Sequence, residues 1–198
     1  MKELLKQIRI SVVATLVFAV ILCGAYPLVV WAFGQALFPW QANGSLIANA
    51  SGTVVGSALI GQNFSGPQYF EPRPSAAGAG YDPTASGGTN LGPTSQKLAT
   101  MIQQNIAAYR EENDLSSSTP VPADAVTASA SGLDPEISMA NAAIQAPRVA
   151  KARNIPLSDV ESLVEANTVG RGWGVFGEPG VNVLTLNLAL DAQYPVRK

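Results

Sequence analysis

Histidine is absent from the 198-residue sequence. That removes the commonest general base, the commonest zinc ligand and every His-dependent catalytic triad. Cysteine occurs once, as Cys23, so neither an internal disulfide nor a Cys-x-x-Cys site can form. Lying in an apolar run, that thiol reads as packing rather than chemistry. Charge is scarce: Asp, Glu, Lys and Arg make up 13% of the chain, against about a quarter in ordinary soluble proteins. None occurs from Ile10 to Phe70. The formal net charge of −2 argues against a general nucleic-acid binder. No Walker A pattern is present, and the acidic residues show no metal-ligand spacing. An enzyme built from this residue set would have to rely on carboxylates, hydroxyls or a metal held by oxygen, and the spacing of the acids leads us to expect no metal site.

What is present is a long apolar start. From Ile10 to Trp31 the chain is uncharged and mostly apolar, enough to cross a hydrocarbon core of ~30 Å as a helix. Trp31, Phe33, Phe38 and Trp40 follow as an interfacial aromatic belt would. Lys2, Lys6 and Arg9 flank the other side, and the next basic residue is Arg73. The positive-inside rule then predicts a cytoplasmic flank (1–9), a retained transmembrane helix (10–34) and an extracytoplasmic domain (35–198). Beyond the flank stand nine basic and thirteen acidic residues, so the domain is mildly acidic.

The domain reads as α+β, mixed helix and sheet with an antiparallel component. "TVVGSALIG" suggests a strand ending in a turn. "SQKLATMIQQNIAAYREEN" places Leu98, Ile102, Ile106 and Tyr109 at helical spacing behind Ser95, a natural N-cap. Asp134-Pro135 suggests the start of a helix or turn, and Pro147 should divide the next helix or kink it. Ser158 and Glu161 have capping-box spacing, predicting a helix from Ser158. In "VNVLTLNLALD", Leu184, Leu186, Leu188 and Leu190 alternate, predicting a half-buried strand.

Five stretches, "GSALIGQNFSGPQYFEPRPSA", "YDPTASGGTNLGPTS", "VPADAVTASASGLDPEIS", "QAPRVAKARNIP" and "VNVLTLNLALD", resemble in order and spacing the KdpC family of the Kdp potassium-transporting P-type ATPase. Departures are small: Glu71-Pro72 stands where the family often has His-Gly, and Ala130 where glycine is common. The resemblance implies a non-catalytic accessory subunit of a high-affinity potassium-uptake complex in the bacterial inner membrane. Its implied partners are a channel-like subunit, a P-type pump subunit, a small accessory subunit and membrane lipid. It also implies a catalytic-chaperone effect that raises the pump's affinity for ATP, with no cofactor tightly bound to this chain. A stand-alone anchored binding protein and a carboxylate hydrolase are the alternatives.

Two groups of residues stand out as candidate sites. Ser86, Gly87, Gly88 and Asn90, with Gln145 more distant, are the nucleotide contacts the resemblance implies; the competing reading of the loop is a tight surface turn. Tyr69, Phe70, Arg73 and Arg148 are candidates for partner docking, since aromatics and Arg are enriched at interfaces. The competing readings are an aromatic pair pinning a loop to the core, and a solvent-facing Gln145–Arg148 pair. Gly24 and Ala25 offer a small-residue contact patch within the span.

Overall fold

The computed structural model describes residues 1–49 and 52–196. Helix α1 (Lys2–Ala19) passes through a widened π-type segment, Val20–Ala25, into α2 (Tyr26–Leu37). Pro27 has no N–H to return to the carbonyl one turn back, and the wider turn just before it accommodates that loss. Together these pieces form one 36-residue helix with a mean hydropathy of 2.4 over its most apolar window, none of that window buried. At 1.5 Å per residue its length is ~54 Å, so the basic first turns extend beyond the apolar segment. The short helix α3 (Pro39–Ala42) follows, and the Trp40 indole donates to the Leu46 carbonyl at 2.9 Å. Strands β1 (Leu46–Ala48) and β2 (Val54–Ser57) pair in a two-stranded sheet.

The chain divides into two units, Met1–Val55 and Gly56–Lys198. The second is built on a three-stranded antiparallel sheet in the order β3 (Glu136–Ser138), β5 (Gly180–Asn182), β4 (Thr168–Val169). Ile137 and Thr168 lie opposite Val181 from the two sides. Helices α5 (Met139–Arg153), α6 (Leu157–Ala166) and α7 (Val183–Gln193) pack with this sheet. Their apolar faces, with Phe70, Ile137 and Val181, make the core. Helix α4 (Gln96–Glu112) runs as its spacing predicts, with the Ser95 hydroxyl accepting from the Leu98 N–H; Tyr109 is its one buried residue.

Three expectations are corrected. The leucine-rich tail is a helix, not a strand: after three residues of β5, Asn182 accepts from the Thr185 N–H and α7 begins. Val183, Leu186, Asn187 and Leu190 are buried, and their spacing of three and four is a helical stripe. Pro147 does not divide α5, which continues to Arg153. Ala143, whose carbonyl loses its partner, is exposed to water, and the buried face of Ala142, Ala146, Val149 and Ala150 holds the helix across the proline. The capping box at Ser158 does not form. Pro156 occupies the N-cap position, α6 starts at Leu157, and the Ser158 hydroxyl bonds Asp159 instead. Asp134 does start a turn, accepting from the Glu136 N–H at 3.1 Å, but the helix cap is Ser138.

Candidate functional site

The segment from Gly66 to Ser75 belongs to no helix or strand, yet it passes through the centre of the second unit. Backbone groups buried there need partners, and side chains supply them. Asn187 on α7 accepts from the Phe70 N–H and donates to the Phe70 carbonyl, both at 2.9 Å. Gln145 on α5 treats Glu71 the same way, at 2.7 and 3.1 Å. Each carboxamide thus copies the paired exchange that a neighbouring strand would offer. Arg148 donates to the carbonyls of Gly66, Pro67 and Tyr69, and Arg153 to those of Gln68 and Tyr194. The Arg153 guanidinium also stacks over the Tyr69 ring at 5.0 Å and pairs with Asp191 at 2.8 Å. Two helices therefore grip one extended segment through four side chains.

A polar network continues from this clamp to α4. Gln145 donates to Asn141 at 2.9 Å, and Asn141 accepts from the Tyr109 hydroxyl at 2.7 Å. Asn141 donates in turn to Asp124, whose carboxylate also takes the Ser138 N–H and hydroxyl, each at 2.8 Å. Beside the network lies a cavity of about 210 Å³ whose wall includes Glu71, Glu112, Tyr81, Tyr109, Asn105 and Gln145. Burial first, then hydrogen bonding and repulsion from the facing Glu112, push the Glu71 carboxyl up to about 7, against the opposing pull of Arg148. Burial and the nearby Glu71 push the Tyr81 hydroxyl up to about 12, so it stays a donor, to the Arg73 carbonyl at 2.6 Å. The cavity wall mixes these polar side chains with Phe64, Pro72, Pro74, Ala108 and Ala125, and the hydrogen bonds of the polar ones tie α4 and α5 to the 66–75 segment.

The family model described as KdpC, the c chain of K+-transporting ATPases, matches residues 8–192. The chain belongs to the KdpC family. The potassium-transporting ATPase KdpC subunit of Mycobacterium tuberculosis (strain ATCC 25618 / H37Rv) is 54% identical over 186 residues, covering 94% of this chain and 98% of that one. That of Caulobacter vibrioides (strain NA1000 / CB15N) is 54% identical over 192 residues, covering 97% and 96%. That of Caulobacter sp. (strain K31) is 52% identical over the same length.

Within this KdpC-family chain, three of the five stretches that carry the resemblance, residues 56–76, 145–156 and 181–191, meet at the clamp. The residues expected to touch nucleotide do not converge. The Gly87 N–H and the Ser86 hydroxyl both donate to the Ser131 carbonyl at 2.9 Å. A side chain on Gly88 would press on the Ala130 carbonyl at 3.1 Å. Asn90 takes a left-handed turn with φ of 53°. The loop is thus fastened to residues 129–132, where Gly132 (φ 67°) is required because a Cβ would meet the Ala77 nitrogen at 2.6 Å. Ala130, in the place where glycine is common, needs no positive φ. Gln145 is buried in the clamp, and none of residues 86–90 lines its cavity.

Of the docking candidates, Phe70 is fully buried in the core, which overturns a docking role for it. With Tyr69 it pins the loop, because its backbone is clamped on both sides. Gln145 and Arg148 are not a solvent-facing pair: Gln145 is 1% exposed and the Arg148 side chain 8%. Arg148 is therefore spent inside the chain, where its charge satisfies three carbonyls. Arg73 pairs with Asp134 at 2.8 Å and stays partly accessible, and Tyr69 is half-buried. Gly24 and Ala25 fall within the π-type segment. Sequence reasoning missed Asn187, Asn141, Arg153 and Glu112. Asn187 and Asn141 carried a usable signal, as carboxamides on apolar helix faces that must find a buried partner.

Proposed function

We propose that this chain is the accessory, non-catalytic subunit of a potassium-transporting ATPase, holding the channel-like and pump subunits in one assembly. The observation that carries the reading is family membership over nearly the whole chain, joined to a site whose polar groups are occupied internally. In this reading the apolar helix is a single membrane anchor with its basic end in the cytoplasm, because cytoplasmic flanks carry the excess of Lys and Arg. The second unit lies outside the cytoplasm, in the bacterial inner membrane's outer compartment. Gly24 and Ala25 let a partner helix approach closely, and Tyr69 and Arg73 offer an accessible edge to a neighbouring subunit.

ATP binding and hydrolysis belong to the pump subunit in this proposal. Any effect of the chain on nucleotide affinity then reaches the pump through subunit contacts and not through the 86–90 loop. The experiment is co-purification from membranes with a tagged full-length chain and with a variant lacking residues 1–35. The full chain is expected to bring the other subunits with it, and the truncated one to lose them. A truncated chain that still brings the full set would contradict the anchor's role in docking.

A further inference from the structure

Between β4 and β5 the sequence "GRGWGVFGEPG" forms a hairpin that no part of the clamp uses. Gly172 and Phe176 exchange backbone hydrogen bonds at 2.8 and 2.9 Å, closing the turn. Arg171 and Glu178 pair across its base at 2.6 Å. At its tip Trp173 is 94% exposed, with Val175 and Phe176 about two-thirds exposed. The two aromatic rings meet edge to face at 6.1 Å. Trp173 also adopts φ of 50°, a left-handed conformation that a bulky side chain adopts only at a cost. Glycine or asparagine would suit that turn better. A bulky aromatic placed in solvent at a backbone conformation that costs energy is a feature that points to a contact outside the chain.

Charge decides what that is. Arg171 is neutralised by Glu178, so the hairpin carries no net charge. Beyond residue 55 the chain has nine basic and thirteen acidic residues, whereas binding to an anionic lipid surface draws on an excess of Lys and Arg. An exposed aromatic pair with a paired-charge rim has instead the anatomy of a protein interface anchor: an apolar centre ringed by polar groups. We propose that Trp173 and Phe176 form a knob that seats in an apolar pocket on a partner subunit of the same transporter. This inference rests on the assembly role proposed above.

The test places a photo-crosslinking benzoylphenylalanine at position 173 of the full chain in native membranes, with one at exposed position 165 as control. A discrete adduct between position 173 and one transporter subunit, missing from the control, is the expected result. Adducts with lipid alone, with proteins outside the transporter, or none at all would overturn the knob. A second arm measures Trp173→Ala, expected to weaken retention of the partner subunit about 10-fold or more. Its thermal unfolding should match wild type, because the indole packs only at the hairpin tip; unchanged retention would also overturn the knob. The two proposals fail separately. A wild-type chain that brings down no other subunit defeats the assembly reading, whereas intact assembly without a 173 adduct defeats the knob alone.

Discussion

Asn187 shows how much one side chain can carry in this fold. Its carboxamide satisfies both backbone groups of Phe70 in the dry core. Asn187→Ala leaves two buried polar groups unpaired, at about 1–3 kcal/mol each; denaturant unfolding of the full chain in detergent should show a loss of about 3 kcal/mol. Glu71 makes a pH-dependent contribution. Its carboxyl holds a proton up to about 7 when folded, against 4.5 ordinarily. The folded chain therefore binds more protons between those values, and stability falls as pH rises through that window. Glu71→Gln should remove this slope and be more stable than wild type at pH 8 by about 1 kcal/mol, a figure discounted for the group's partial solvation. Unfolding of both chains at pH 5 and pH 8 checks it. Asn187 signalled only that it needed a buried partner; which partner was not legible for either residue, because one 74 or 117 positions away leaves no local pattern.

Elements were legible where the local signals agreed. Helix α4 had both its stripe and its Ser95 cap, and these local terms agreed. The tail had two signals that conflicted. Leucines at every second position fit a strand, but Val183, Leu186 and Leu190 fit a helix equally well over so short a run. Asn182 as cap broke the tie, and the strand was confined to Gly180–Asn182. Pro147 does not end α5 because the packing of Ala146, Val149 and Ala150 in the core outweighs the local preference against an interior proline. Ser138 ends β3 and opens α5, accepting from the Asn141 N–H at 3.1 Å while donating to Asp124. Ser138→Ala should cost about 1–2 kcal/mol, read as a lower unfolding midpoint in denaturant; Ser138→Thr, which keeps the hydroxyl, should recover most of it.

At the scale of the whole molecule, composition foretold the broad architecture. A charge-free stretch longer than a bilayer requires yielded the apolar helix, and the mixed patterns beyond it yielded a helix-and-sheet domain. The resemblance carried by five motifs was confirmed over residues 8–192. The glycine-rich loop that suggested a nucleotide is fastened to the Ser131 carbonyl and lies against Gly132. The clamp uses its polar groups inside the domain, and the Trp173 hairpin carries the most exposed large apolar side chain of the described residues beyond Val55. The measurement that bears most directly on this account is the subunit ratio in material purified from membranes through a tag on this chain. The account predicts a constant ratio to the other potassium-transporter subunits in the full-length preparation, and loss of those subunits when residues 1–35 are removed. Full-length chain recovered alone, with the transporter intact and active without it, would contradict the account.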